Sequence, residues 1–370
     1  MLALYRKYRP KKLSDIFGQE TNVEILKNAA KTGRIAHAYL FYGPRGTGKT
    51  STARILSKIA NCEKIKTDES FRQKGEPCNE CHACLEIETG RALDIVEIDA
   101  ASNRGIDEIR SLQEGIKLSP ASLSFKVFII DEVHMLTAPA FNALLKTLEE
   151  PPAHAIFILA TTEIEKVPAT ITSRTQKFVF KKVSIDLLVS KLKSIAEKEN
   201  ITIEENALTL VARAAEGSVR DSESLLDQIS SFLGNSEKIT LEKTEDIIGK
   251  TGFHKIAELL SATLEKNAEK SLSFISGLKE KGQDIVQFNK DLINSLGKLL
   301  ALKANEKMEM IFKKEMTDSE LEEIKNLAKK FELENMLKLV KLLISAHREM
   351  RYSPFPSVPL EVALIEFINS

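Results

Sequence analysis

The chain has 370 residues with 53 basic and 53 acidic side chains, so its formal charge is zero. That length holds two or three domains with a proper core, and the charge balance excludes a global basic field, so any nucleic-acid contact must come from a local patch. No run approaches the ~18 apolar residues of a membrane span, and residues 1–10 lack the apolar stretch of an export signal, which predicts a soluble cytoplasmic chain with no membrane partner.

The chain opens on Tyr5-Arg6-Lys7-Tyr8-Arg9-Pro10-Lys11-Lys12, a basic and aromatic segment that by itself reads as a solvated arm. Val23, Leu26 and Ala30 at helical spacing predict a helix from Gln19 to Thr32, stopped by Gly33. The run Ala38–Tyr42 then reads as a buried strand leading into Gly43-Pro44-Arg45-Gly46-Thr47-Gly48-Lys49-Thr50, with a helix from Ser51 to Ala60 behind it. Strand, glycine-rich loop and helix in that order are what separate a phosphate-binding loop from a chance glycine-rich turn. The glycines let backbone N–H groups converge on phosphate oxygens at a helix N-terminus. Lys49 can reach the β- and γ-phosphates and the Thr50 hydroxyl can sit on Mg²⁺, so a nucleotide-binding protein is expected.

The four cysteines, Cys62, Cys78, Cys81 and Cys84, follow the spacing C-x15-C-x2-C-x2-C. In a chain without an export signal they are expected to stay reduced, and four thiolates suit a tetrahedral, closed, structural zinc. Free cysteines, or His82 in place of one thiolate, are the competing readings. Residues 62–90, poor in apolar side chains, look like an insertion held by metal instead of a core.

Leu93–Ile98 reads as a strand, Ala101 to Ile106 as a loop, and a helix is expected to follow through Gly115. Ser102 or Asn103 could cap it, with Arg104 placed to receive a phosphate. Lys126-Val127-Phe128-Ile129-Ile130-Asp131-Glu132 is a buried strand that delivers two carboxylates at its C-terminal end, where open α/β sheets bind ligands. Behind a phosphate loop, the first carboxylate suits the Mg²⁺ shell and the second an attacking water. A helix from Ala138 to Glu150 must end at Pro151-Pro152. Strands are expected at Ile156–Thr162 and Lys177–Phe180, on either side of Ser173-Arg174-Thr175. Strands alternating with helices predict a parallel sheet covered on both faces.

From about Val183 the strands stop. Residues 184–235 read as short helices, interrupted by Glu216-Gly217-Ser218-Val219-Arg220-Asp221, with a boundary near Gly234-Asn235-Ser236. Residues 240–370 are helical throughout, with apolar stripes such as Leu292, Leu296, Leu299 and Leu300, or Leu333, Met336, Leu337, Val340 and Ile344. Those stripes are expected to form a helical core, and Pro359 to open a last helix.

Taken together, these motifs resemble the gamma/tau subunits of bacterial DNA polymerase III, the ATPase subunits of the sliding-clamp loader. The resemblance covers essentially the whole chain. It rests on Tyr8-Arg9-Pro10, His37–Phe41, the phosphate loop, the cysteine insertion, Asp131–Leu136, Phe141–Pro152 and Gly217–Asp221. It implies an AAA+ ATPase that loads the clamp on primed DNA. The fold would be an α/β sheet domain followed by all-α parts: residues 1–180 with the zinc module at 62–90, a lid at 181–238, and a collar for oligomerisation at 239–370.

The resemblance also implies roles. Gly43 through Ser51 hold the phosphates of ATP or ADP, Lys49 and Thr50 with Asp131 serving phosphate and Mg²⁺, and Glu132 activates water. Thr162 senses the γ-phosphate, and Arg220 reaches the nucleotide of its own subunit. Tyr5, Arg9 and Pro10 lie along the adenine, which gives the basic arm a function. Arg174 reaches the neighbouring subunit's nucleotide; the family usually has Cys after this arginine, where the chain has Thr175. Implied partners are delta- and delta-prime-type subunits, further copies of this chain, the sliding clamp and primed DNA. Contacts to DNA are expected to track duplex shape with little sequence specificity, with Arg104 and neighbouring N–H groups as candidates. Longer family members continue into segments that bind the polymerase and the helicase, and the chain ends before them. A helicase-type AAA+ motor and a clamp-loader subunit that no longer hydrolyses ATP are the alternatives. The intact Lys49, Thr50, Asp131 and Glu132 weigh against the second.

Overall fold

Five apolar runs form one wholly parallel sheet: β1 (Ala38–Tyr42), β2 (Ile95–Asp99), β3 (Lys126–Asp131), β4 (Ala155–Thr161) and β5 (Gln176–Val179), in the spatial order β2-β3-β4-β1-β5. The α/β class and the parallel sheet are as expected. The computed structural model describes every residue except 1, 104, 106–111, 113, 234–237, 249–252, 281, 313–315 and 317. Arg104, most of the helix expected to follow the 101–106 loop through Gly115, and the Gly234–Ser236 boundary fall on these positions, outside the described residues.

Successive side chains of a strand face opposite ways, and both faces of this sheet are covered. Tyr39, Phe41, Ile129 and Ile158 join Leu26, Ile55, Leu56 and Ile59 on one face, under the helices Glu20–Thr32 and Lys49–Asn61. Leu40, Phe128, Ile130, Phe157 and Leu159 join Phe141, Leu144 and Leu148 on the other, under the helix Ala138–Glu149. β4 lies centrally and is buried at every position, which is why it reads as an uninterrupted apolar run. β2 is an edge strand, and Glu97 on it is held by a two-pronged ion pair from Arg54 at 2.8 Å.

Register fixes what emerges at the C-terminal edge. Tyr42 pairs with Thr161, and Asp99 with Asp131. The phosphate loop after β1, the carboxylates after β3 and the threonines after β4 therefore share one edge, where parallel sheets place their ligands.

The cysteine insertion has more core than its composition suggests. Cys62, Ile65 and Cys84 are buried in the cluster beneath Phe41, and Ala83 and Ile87 are also buried. Glu76 fastens the insertion to the N-terminal arm: its carboxylate accepts from Leu13 N at 2.7 Å and Ser14 N at 2.9 Å, and pairs with Lys27 Nζ at 2.7 Å.

The chain divides into two units, Met1–Ile195 with Ala215–Asp227, and Ala196–Ala214 with Gln228–Ser370. Residues 181–238, expected as one lid, are shared between them. Among the described residues the regular structure of the second unit is helical apart from an isolated bridge between Ile203 and Ile239. The helix Ile285–Ala304, capped by Asp284, buries Leu292, Leu296 and Leu299. The helix Leu333–Met350 buries Met336, Leu339, Leu343, Ala346 and Met350. Leu333, Leu337 and Ile344, expected in the same core, are each about 40 % exposed. The apolar stripe on this helix is wider than the face its own unit covers. The last helix runs Ser357–Ile368, so Pro359 stands at its third position, still within the first turn where no N–H is needed. Among the described residues no helix is long and apolar enough to cross a membrane.

Candidate nucleotide site

The loop Gly43–Gly48 adopts backbone angles that L side chains resist: φ is 140° at Gly43, 72° at Gly46 and 104° at Gly48. Space is as short as conformation. A Cβ on Gly43 would lie 2.0 Å from Phe180 O, and one on Gly46 would lie 1.9 Å from Ser218 Oγ. The second contact exists because residues 217–220 close over the loop, with Val219 N donating to Gly46 O at 3.0 Å.

Lys49 opens the following helix and is buried; its ammonium donates to Gly43 O at 2.7 Å and Pro44 O at 2.8 Å. Burial holds its pKa below the ordinary lysine value, against the pull of Glu132 and Asp131. Thr50 Oγ1 donates to Asp131 Oδ2 at 2.7 Å, so the hydroxyl and the carboxylate already meet. Glu132 turns out of β3 with φ 47°, a left-handed conformation, its N–H donating to Asp131 Oδ1 at 2.9 Å. Strained backbone of this kind concentrates at functional positions.

These groups line a cavity of about 170 Å³. Its walls hold Tyr5, Arg9 and Pro10 from the arm, Arg45 through Ser51 from the loop and its helix, Asp131 and Glu132 from β3, and Arg220. The Arg220 guanidinium stacks over the Tyr5 ring at 4.9 Å. Gly43 and Pro44 do not line the cavity; they meet Lys49 through their carbonyls. Thr162 lies beside it, donating from N and Oγ1 to Glu132 Oε2 at 3.2 and 3.0 Å. Arg174 is not part of the lining and pairs with Glu149 at 2.8 Å.

Sequence reasoning missed several wall residues: Asp15, Ile16, Phe17, Lys191, Val219 and Glu223. Glu223 is one helical turn beyond Arg220, a spacing that puts both on one face and could have flagged it. Its carboxyl is pushed up to about 7 by burial, which Lys191 at 3.7 Å only partly offsets.

The thiol sulfurs of Cys62, Cys78, Cys81 and Cys84 all lie within 4.8 Å of one another. Tetrahedral zinc with Zn–S of about 2.3 Å sets sulfurs roughly 3.8 Å apart, and Cys78 and Cys84 stand at 3.9 Å. The donor set fits that metal. Cys62 is drawn down to about 4, first by the Cys84 thiol and further by the N–H groups of Cys78 and Ile65, while burial opposes it. A thiolate is therefore favoured where a metal needs one. His82 is exposed and turned to Glu86 at 3.5 Å, outside the cluster.

Sequence models of three families match successive parts of the chain. "DNA polymerase III, delta subunit" covers residues 18–184, "DNA polymerase III clamp loader subunit, ATPase lid domain" 188–232, and "DNA polymerase III subunits gamma and tau domain III" 239–370. DNA polymerase III subunit tau of Bacillus subtilis is 41% identical over all of this chain, which spans 63% of that protein. DNA polymerase III subunit gamma of Buchnera aphidicola from Acyrthosiphon pisum is 35% identical, with 99% of this chain and 98% of that one aligned. Among solved structures, the RuvB Holliday junction branch migration motor of Thermotoga maritima aligns over 70% of this chain and 80% of its own, at TM-score 0.48 and 20% identity. With near-complete mutual coverage of the Buchnera subunit, and a phosphate loop and acidic pair meeting at one sheet edge, the chain belongs to the gamma/tau family of DNA polymerase III subunits.

Proposed function

We propose that the chain is an ATPase subunit of a bacterial clamp loader, spending ATP binding and hydrolysis to place a sliding clamp on primed DNA in the cytoplasm. The observation that carries this reading is the convergence of Lys49, Thr50, Asp131, Glu132 and Arg220 on one cavity. A subunit that had given up hydrolysis would be expected to lose part of the phosphate loop or the acidic pair, and both are intact here. The chemistry is phosphoryl transfer to water, in which the protein positions groups and balances charge. Loop N–H groups, Lys49 and Arg220 hold the phosphates of ATP. Glu132 takes a proton from the attacking water, the bond to the γ-phosphorus breaks on the ADP side, and ADP and phosphate leave. The Thr50 hydroxyl and the Asp131 carboxylate, hard oxygen donors, would hold Mg²⁺, which neutralises phosphate charge when bound. Cys62, Cys78, Cys81 and Cys84 would hold zinc, which braces the insertion.

Thr162 would read the γ-phosphate only by exchanging its hydrogen bond to Glu132, which makes it a link between phosphate and Glu132. Arg174, outside its own cavity, is assigned to the nucleotide of a neighbouring subunit. The partners would be delta- and delta-prime-type subunits, further copies of this chain, the clamp and DNA. Apolar residues left exposed at Leu333, Leu337 and Ile344 support assembly through the 239–370 region. The chain would work in three parts, 1–180, 181–238 and 239–370, a reading supported by separate family matches at 18–184, 188–232 and 239–370.

The test is steady-state ATP hydrolysis by the chain alone and with partner subunits, clamp and primed DNA. Slow turnover that rises only with the full set is the expected result. Stimulation by DNA alone would indicate a motor of another kind, and no hydrolysis under any condition would leave a nucleotide-binding scaffold.

A further inference from the structure

Glu132 is not held by the phosphate loop. Its carboxylate is held by side chains that follow β3 and β4, and His134 stands at the centre of them. The imidazole is only 6 % exposed. Nδ1 faces Thr161 Oγ1 at 2.9 Å and Glu132 Oε2 at 3.4 Å, and Nε2 faces Glu163 Oε1 at 3.2 Å. Glu163 is itself fixed, its other oxygen pairing with Lys166 Nζ at 2.7 Å. Its N–H donates to Thr161 Oγ1 at 3.0 Å.

The backbone explains the meeting. Met135 N donates to Glu132 O at 2.8 Å, closing a 3-10 turn over Val133–Met135, and Val133 is fully buried beneath it. The turn aims His134 at the end of β4. There Thr161, Thr162 and Glu163 stand in succession, and each touches either the imidazole or Glu132.

The contacts made to the Glu132 carboxylate by these residues all fall on Oε2. Thr162 N, Thr162 Oγ1 and His134 Nδ1 converge on that atom, and among the described residues no partner stands on Oε1. A general base held by one oxygen presents the other in a defined direction, which is what in-line attack by water requires.

We propose that His134 is a positioning residue for hydrolysis: clamped between Glu163 and Thr161, it sets the orientation in which Glu132 receives the proton of the attacking water. The inference rests on the assignment of Glu132 as that proton acceptor. His134 is not among the residues that line the cavity. It acts through Glu132, as the partners of a metal-ligating histidine act through the ligand. A misplacement of about 1 Å at a reacting group can cost on the order of 10²-fold in rate.

The experiment uses the full chain with its partner subunits, clamp and primed DNA, reading stimulated kcat, and a fluorescent ATP analogue to read nucleotide affinity. His134→Ala is expected to lower kcat about 10- to 100-fold with nucleotide Kd unchanged. His134→Asn, whose amide reaches the position of Nδ1, is expected to recover part of that loss. Glu163→Gln, at a half-exposed site that folding tolerates, is expected to lower kcat less. Its effect should not add to that of His134→Ala, since both act through one contact chain. Glu132→Gln is the reference for the assignment beneath. If Glu132→Gln is inactive while His134→Ala turns over at the parent rate, the positioning role is wrong and the base assignment stands. If Glu132→Gln turns over normally, the base assignment itself has failed. Equal losses of kcat and affinity in His134→Ala, with no recovery by Asn, would overturn the inference in favour of plain packing. If His134→Ala does not fold, an unchanged kcat in Glu163→Gln would overturn it equally.

Discussion

Adding one methyl group at Gly46 should weaken nucleotide binding about 30- to 150-fold. Gly46 sits at φ 72°, where an alanine costs ~1–2 kcal/mol in backbone strain. The new Cβ would also meet Ser218, 1.9 Å from Oγ and 2.9 Å from Cβ. The hydroxyl can rotate away, but it accepts Asp221 N at 3.1 Å and so caps the helix Val219–Leu233. Giving up such a cap costs ~1 kcal/mol. Together the costs reach about 2–3 kcal/mol, at 1.4 kcal/mol per tenfold. They bear on the closure of residues 217–220 over the phosphate loop, the closure that also carries Arg220 into the cavity.

The assay is titration of a fluorescent ATP analogue into Gly46→Ala, Ser218→Gly and the double variant. Ser218→Gly alone loses the cap, so the methyl group added on that background should cost only the backbone term. The cycle should then show a coupling of ~1 kcal/mol, roughly fivefold in affinity. An affinity of Gly46→Ala within threefold of the parent would refute the steric account. Full additivity in the double variant would refute the part assigned to Ser218.

Cys84→Ser is expected to lose the bound zinc by elemental analysis and to open the 62–90 insertion to limited proteolysis, because a structural site contributes folding energy outright. Arg174→Ala should depress stimulated turnover by about 10³–10⁵ with nucleotide binding near normal; equal loss of binding would sink the assignment in trans. Glu223 carries a pH dependence whose sign is fixed by its raised pKa. From its ordinary value of 4.5 up to about 7 the folded chain holds a proton that the unfolded chain has released. The stability contribution is therefore full below 4.5 and lost as pH rises through 7, with a slope of at most ~1.4 kcal/mol per unit. Glu223→Gln should flatten this part of the profile in thermal melts taken between pH 5 and 8.

Segments with local signatures were legible in the sequence. β4 is buried on both faces, so its run of apolar residues needed no partner to be recognised. The phosphate loop announced itself through glycines whose backbone angles and tight contacts leave little alternative. Legibility ended where placement depends on register between distant segments. Nothing local says that Thr162 donates to Glu132, because that contact exists only once β4 lies beside β3. Lys191 was missed for the same reason, since its helix Ile185–Lys198 meets the cavity only in the folded chain, whereas Glu223 carried a local clue in its one-turn spacing from Arg220. On the helix Leu333–Met350 the pattern overshot: a helical period marks which residues are apolar, not which of them their own unit covers. The four cysteines were easy because coordination chemistry restricts spacing far more than packing does.

The Glu76 carboxylate bridges two regions that differ in what keeps them folded. One is the cysteine insertion, and the other is the turn around Leu13 and Ser14 that leads directly into Asp15, Ile16 and Phe17 on the cavity wall. Held by two backbone N–H groups and an ammonium, that carboxylate cannot shift without releasing the turn. On the proposed zinc assignment, loss of metal or oxidation of the cysteines is expected to loosen this turn and, through it, the wall of the pocket.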